Sequence, residues 1–162
     1  MPEVIADTSP IQYLYQIDQL NLLPTLHEQV KMPQAVAAEL DQGRVQGISL
    51  PDVDSLSWVM VCPVSASILI PDLPSLGAGE HEALSLAIAT PDSLVILDDA
   101  LARSYAQQLN ISFTGTLRVL LKGKQSGFVD AIAPLLDELE TLNFRLSFPT
   151  RAAVLKLANE VD

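Results

Sequence analysis

Short apolar runs alternate along the chain with longer segments in which apolar residues recur at helical spacing. The apolar runs are residues 4–6, 29–32, 58–62 and 94–97, and residues 111–115 are a further short strand candidate. The helical segments are residues 11–20, 33–43, 80–90, 100–110, 116–127, 128–144 and 150–160. In the first of them, apolar residues at positions 11, 14, 15 and 17 fall on one face of a helix.

This alternation predicts an α/β fold. Strands that are apolar throughout are buried on both faces, which is typical of a mostly parallel sheet with helices on each side. We therefore expect a three-layer α/β/α architecture. A chain of 162 residues is long enough for one domain with a proper core. We assign residues 1–162 to a single domain, in which residues 128–162 form a C-terminal helical extension.

Composition and charge narrow the classes of function. No apolar run reaches the ~18–20 residues that a membrane span requires, so no membrane association is expected. The chain has one cysteine and starts without a basic region followed by a long apolar run, which favours a cytoplasmic location. Its net charge of −11 disfavours non-specific binding to nucleic acid. A local basic strip or a bound metal ion can still reverse the field at one site.

Acidic residues follow two of the predicted strands. Asp7 comes directly after residues 4–6, and Asp98 and Asp99 come directly after residues 94–97. Parallel strands place their carboxyl ends at one edge of the sheet, where ligands bind in folds of this kind. Ordinary helix capping by Asp7 or Ser9 is an alternative interpretation of the first position. Capping needs only one of the two adjacent aspartates, and the second repels the first.

Further acids lie in two of the predicted helices. Glu39 falls late in its predicted helix, where the helix dipole disfavours an acid, and Asp41 is an alternative to it. Glu80 and Glu82 fall in the first turn of another helix, where the dipole favours acids. Carboxylates that are not accompanied by a cysteine or histidine cluster suit Mg²⁺ or Mn²⁺. Several acids close together cannot all stay ionised without a cation, and metals between carboxylates activate water for attack on a phosphate.

Five ordered motifs resemble those of PIN-domain proteins. They are VIADTSP, MPQAVAAEL, LGAGEHEALSLA, VILDDALAR and FTGTLRVLL, and they span roughly residues 4–122. The family is similar to 5′-nucleases, and many of its members are toxin ribonucleases that pair with an antitoxin. The resemblance implies a PIN-like fold and RNA cleavage that depends on Mg²⁺ or Mn²⁺.

The resemblance also implies roles for individual residues. Asp7 matches the first acid and Glu39 the second, the third is Glu80 or Glu82, and the fourth is Asp98 or Asp99. We therefore expect six catalytic candidates, namely Asp7, Glu39, Glu80, Glu82, Asp98 and Asp99. Of these, the expected metal ligands are Asp7, Glu82, Asp98 and Asp99.

The expected substrate is single-stranded RNA. The hydroxyls of Thr8, Ser9, Thr114 and Thr116 are candidates for binding a phosphate or for orienting a ligand carboxylate. Arg103 and Arg118, with Lys122 and Lys124, are candidates for a local phosphate-binding strip. The expected partners are an antitoxin protein and a second copy of the chain, which the C-terminal helices would contact.

A non-catalytic PIN-like module that binds a protein is the alternative, and the acidity of the chain favours it. A phosphoryl-transfer receiver domain also clusters acids at strand ends. The order of the acids argues against it, because its acidic pair follows the first strand, whereas here the single Asp7 comes first.

Overall fold

The computed structural model describes residues 2–71 and 73–160. Within them, β1 (Glu3–Ala6), α1 (Thr8–Gln16), α2 (Leu22–His27), β2 (Val30–Pro33), α3 (Gln34–Val45) and β3 (Val59–Cys62) form the first half. The second half contains α4 (Ala78–Ala89), β4 (Ser93–Ile96), α5 (Ala100–Gln108), β5 (Phe113–Thr114), α6 (Thr116–Gln125), α7 (Ala133–Thr141) and α8 (Phe148–Leu157). A short 3-10 helix at Val53–Ser55 lies between α3 and β3.

The five strands form one sheet in the order β3-β2-β1-β4-β5, and every adjacent pair is parallel. The first strand is therefore central, with Val4 opposite Val30 on one side and Leu94 on the other. The predicted parallel α/β sheet is confirmed. A central first strand explains why residues 4–6 are apolar throughout, because both faces and both edges of β1 are covered.

Helices cover the two faces of the sheet unequally. Ile5, Val95 and Leu97 face one side, where residues of α4 and α5 pack against them. Val4, Ala6 and Ile96 face the other side, which is covered mainly by α1, α2, α3, α6 and α7. The result is the expected three-layer arrangement, with its larger aliphatic core on the second side.

Two predicted helices have different bounds in the structure, and α2 is a helix that the sequence pattern does not predict. The helix α3 continues to Val45 and so places Glu39 in its middle rather than near its end. The helix predicted at 128–144 is confined to Ala133–Thr141. Proline at position 134 prevents an earlier start because its ring would clash with the carbonyl four residues before it. Asn143 adopts a positive φ of 65°, which ends the helix.

In the described part of the chain, no helix is both long enough and apolar enough to cross a membrane.

Candidate active site

Asp7 leaves the end of the central strand and is buried, with only 2% of its surface exposed. Its backbone N–H donates to the carbonyl of Ile96 at 3.1 Å, which ties the residue to the neighbouring strand β4. Although Asp7 occupies the N-cap position of α1, its side chain makes no capping hydrogen bond. Its Oδ1 atom is buried and has no hydrogen-bond partner among the described residues. Capping therefore does not account for an acid at this position.

Burial is the main cause of the raised pKa of Asp7, which is about 7. The carboxylates of Glu39, Asp98 and Asp99 raise this pKa further, while the backbone N–H of Thr8 opposes the shift. A carboxylate in this environment is costly to ionise unless a positive charge approaches it.

Glu39 projects from the middle of α3 toward the first turns of two other helices. Thr8 donates its hydroxyl to Oε2 of Glu39 at 2.5 Å, and the backbone N–H of Gly79 donates to Oε1 at 2.9 Å. A Cβ atom at Gly79 would lie 2.6 Å from Oε2, so only glycine lets the carboxylate approach this closely. The start of α1 and the start of α4 thus hold Glu39 in one orientation.

Asp98 follows β4 directly and is oriented by the start of α6. The backbone N–H of Thr116 donates to its Oδ1 at 2.9 Å, and the Thr116 hydroxyl donates to its Oδ2 at 2.6 Å. Nη2 of Arg103 lies 3.8 Å from Oδ1. Burial raises the pKa of Asp98, and the bonds from Thr116 and the charge of Arg103 oppose that increase.

Asp99 and Glu80 complete the group from the starts of α5 and α4. Asp99 caps α5 by accepting the N–H of Ala102 at 2.9 Å. Glu80 lies in the first turn of α4, and its pKa is raised to about 7. The causes are burial first, then the charges of Asp7 and Asp99, a side-chain hydrogen bond with Asp99, and the charge of Glu39. We call Asp7, Glu39, Glu80, Asp98 and Asp99 the carboxylate cluster.

Glu82 lies on another face of α4 and has a different partner. Its Oε1 accepts the backbone N–H of Ala35 at 3.0 Å, in the first turn of α3. The structure therefore brings Glu80, and not Glu82, to the carboxylate cluster. Two hydrogen bonds join α3 to α4, because Glu82 of α4 accepts the N–H of Ala35 and Glu39 of α3 accepts the N–H of Gly79.

The remaining candidate residues divide into two groups. Thr8 and Thr116 contact cluster carboxylates directly, and Arg103 is fixed beside them by a bond from its Nε to the carbonyl of Leu97 at 2.7 Å. Ser9 lies in the first turn of α1, Thr114 in β5, and Arg118 on α6. Arg118 lines a cleft that begins at Asp98.

Sequence reasoning did not identify two glycines that shape the cluster. Gly79 admits Glu39, as described above. A Cβ at Gly115 would lie 2.0 Å from Nη2 of Arg103 and 2.6 Å from Oδ1 of Asp98. Both glycines stand immediately before or within the first turn of a helix. The sequence gives one signal for these contacts, which is a glycine next to each predicted helix start, where a side chain from elsewhere can approach the backbone.

The carboxylate oxygens of the cluster suit a hard cation such as Mg²⁺. The side chains are not arranged around one point as a complete set of metal ligands. Within residues 2–71 and 73–160, no three acidic, histidine or cysteine side chains converge closely enough to hold a metal ion. Glu39, Asp98 and Asp99 are instead turned toward Thr8, Thr116 and Ala102. The unpaired Oδ1 of Asp7 and the surrounding carboxylates nevertheless fit Mg²⁺ or Mn²⁺, which prefer oxygen ligands.

A family model described as a PIN domain matches residues 3–160, which is nearly the whole chain. No curated protein matches the chain.

Proposed function

The chain belongs to the PIN-domain family, and from that premise we propose that it is an endoribonuclease that uses Mg²⁺ or Mn²⁺ to cleave single-stranded RNA. PIN domains are generally nucleases and typically use divalent metal ions. The metal identity, the RNA substrate and the endonucleolytic mode are the parts that we propose.

One observation carries the proposal. The buried Asp7 presents a carboxylate oxygen with no partner among the described residues, and its charge is repelled by those of Glu39, Glu80, Asp98 and Asp99. A buried polar atom without a hydrogen bond destabilises the fold by roughly 1–3 kcal/mol. A divalent cation would satisfy that atom and neutralise the mutual repulsion of the group. Stability alone gives no reason for such an arrangement.

The residues of the cluster have distinct parts in this proposal. Asp7, Glu39, Glu80, Asp98 and Asp99 are the groups that would hold a cation. When bound, it would supply an activated water and stabilise the developing charge on a phosphodiester. Thr8 and Thr116 keep Glu39 and Asp98 in fixed orientations. Arg103 stands next to Asp98, where its guanidinium can pair with a phosphate.

The cellular role that we propose for this activity is that of a cytoplasmic toxin in a toxin–antitoxin pair. Its partners would be an antitoxin protein and a second copy of the chain. This part of the proposal rests on the family resemblance.

A non-catalytic binding module is the second candidate function. The observation that favours it is the absence of three converged metal-binding side chains in the described residues. Under this interpretation the cluster would stay partly protonated, as the raised pKa values of Asp7 and Glu80 allow, and no cation would be needed.

Cleavage of single-stranded RNA in Mn²⁺, with an EDTA control, separates these two functions. Direct attack of water leaves a 5′-phosphate and a 3′-hydroxyl, whereas attack by the RNA 2′-hydroxyl leaves a cyclic phosphate. Asp99→Asn should abolish cleavage while the helix cap is preserved, because asparagine caps as well as aspartate. Asp41→Asn makes the same charge change on the exposed side of α3 and should leave cleavage intact. Cyclic-phosphate ends, or cleavage that survives EDTA, would exclude the proposed mechanism.

A further inference from the structure

A cleft of about 310 Å³ adjoins the carboxylate cluster and is bounded by residues from α5, α6 and α8. Asp98 lies at one end of it, and Arg103, Arg118 and Arg145 contribute three guanidinium groups. Apolar side chains of α6 and α8, including Leu121 and Val154, also line it. We call this cavity the arginine cleft.

The charge of the cleft is unusual for this chain. The sequence has nine basic residues against twenty acidic ones, yet three of the nine line this one cavity. Arg118 and Arg145 are exposed, and neither lies within 4.0 Å of an acidic group among the described residues. In contrast, Arg151 of α8 forms salt bridges with both Asp137 and Glu140 of α7. Two arginines without an acidic partner in one cleft leave positive charge there that an external anion can neutralise.

The position of the cleft favours RNA over an acidic peptide as that anion. Asp98 belongs both to the cleft and to the carboxylate cluster, so the two sites are continuous. Arg103 stands between them, with its Nε bonded to the carbonyl of Leu97 and its guanidinium 5.2 Å from the ring centre of Phe113. A strand with a phosphodiester at the cluster would place its adjacent nucleotide in the cleft. The mixture of guanidinium groups and apolar walls suits the alternation of phosphates and bases along such a strand.

We propose that the arginine cleft is a nucleotide subsite, in which Arg118 and Arg145 bind a backbone phosphate next to the scissile one in single-stranded RNA. The inference rests on the proposed function and extends it, because it assigns a substrate-binding role to the segment after α7. Arg145 belongs to that segment, so the C-terminal region would position substrate in addition to covering the core.

The test compares Arg118→Gln and Arg145→Gln with Lys156→Gln. Lys156 is exposed on α8 and does not line the cleft, so its variant makes the same charge change outside the proposed subsite. Binding of a fluorescein-labelled oligouridine is measured by anisotropy in EDTA at several salt concentrations. Cleavage of the same RNA in Mn²⁺ gives KM and kcat, and thermal melting confirms that each variant is folded.

We expect each arginine variant to weaken RNA binding by about 5- to 10-fold and to raise KM, with kcat largely unchanged. The slope of log K against log salt should fall by about 0.7, because one phosphate contact to a single strand is lost. Lys156→Gln should match the unmodified protein in both quantities.

Three outcomes would overturn the subsite. One is that the unmodified protein binds and cleaves RNA and that both arginine variants have the same RNA affinity and the same KM. Another is that all three variants weaken binding equally, which would show a general charge effect. The third is that polyglutamate displaces the RNA at equal charge concentration, which would identify an acidic protein segment as the ligand. If the unmodified protein neither binds nor cleaves any RNA, the proposed function itself fails together with the subsite.

Discussion

The carboxylate of Glu39 lies against the backbone of Gly79, whose N–H donates to Oε1 at 2.9 Å. The same contact leaves no space for a side chain, since a Cβ on Gly79 would be 2.6 Å from Oε2. The glycine at the start of α4 therefore fixes how closely α3 can present its acid to the cluster.

Gly79→Ala is expected to displace Glu39 without unfolding the protein. Alanine favours the helix, so the intrinsic propensity of α4 improves while the carboxylate loses its hydrogen bond. We expect Mn²⁺-dependent cleavage to fall by about 10-fold or more, with a change in Tm of only a few degrees. Gly77→Ala is the matched control, because its Cβ would meet Glu80 at an ordinary 3.4 Å. Equal losses in the two variants would contradict this account.

Glu80 and Glu82 are two residues apart on α4 and should respond differently to the same substitution. Glu80→Gln removes a carboxylate from the cluster, so the increase in Tm that millimolar Mn²⁺ produces should largely disappear. Glu82→Gln keeps an oxygen acceptor for the N–H of Ala35. We expect it to lower the free energy of unfolding by about 1 kcal/mol at most and to leave the Mn²⁺ response intact.

A thermal melt of each variant, with Mn²⁺ and with EDTA, measures both effects. The assignment of Glu80 to the cluster would be wrong if Glu82→Gln removed the metal response instead.

The difference between these two glutamates shows where sequence reasoning stops. The ends of apolar strands sufficed to place Asp7 beside Asp98 and Asp99, because parallel topology fixes one common edge. The choice between Glu80 and Glu82 depends on the residue at which α4 begins. That residue is Ala78, and the small residues around it allow several starts.

Long-range packing was equally inaccessible from the sequence. The prediction for Glu39 depends on an acid being unfavourable late in a helix, but α3 continues for six residues past Glu39, so this reason is wrong. Its position follows instead from contacts with Thr8 and Gly79, which are 31 and 40 residues away in the chain. Arg145 lines a cleft beside Asp98 only because α8 packs near α6. This packing is a long-range contact that no local sequence pattern predicts.

The stability of the metal-free protein should fall as pH rises from about 5 to 8. The pKa values of Asp7 and Glu80 are about 7 in the folded protein, above their ordinary values of 3.8 and 4.5. At a pH between the ordinary and the raised pKa, the folded protein still binds a proton that the unfolded chain has released. The stabilisation is therefore complete below about pH 4 and is lost as pH rises through 7.

His27 acts in the opposite direction, because burial lowers its pKa and so favours folding as pH rises toward its ordinary value of 6.5. The informative quantity is therefore the difference in Tm between the unmodified protein and Asp7→Asn, both in EDTA. This difference should favour the variant more at pH 8 than at pH 5, because the folded protein releases the Asp7 proton only near pH 7. In a domain of this size, 1 kcal/mol corresponds to about 2–4 °C in Tm. A difference that is independent of pH would show that Asp7 does not titrate in this window.

Thr116 is expected to act as a positioning residue for Asp98. Its hydroxyl is fully buried and donates to Oδ2 of Asp98 at 2.6 Å, while its backbone N–H donates to Oδ1. Thr116→Val preserves the shape of the side chain but removes the hydroxyl, so Asp98 loses one of the bonds that lower its pKa. We expect kcat to fall by about 10-fold and the acidic limb of the pH–rate profile to shift to higher pH, whereas KM for RNA should change little.

Thr116→Ser restores the hydroxyl and removes only a methyl group, so it should recover most of kcat and the original pH profile. A purely structural role for Thr116 would lower Tm in both variants and would leave the pH profile of the remaining activity unchanged. Recovery of the profile by serine but not by valine thus separates orientation of Asp98 from packing of α6. If valine and serine give the same kcat and the same profile, the hydroxyl does not position Asp98, and its hydrogen bond serves the fold alone.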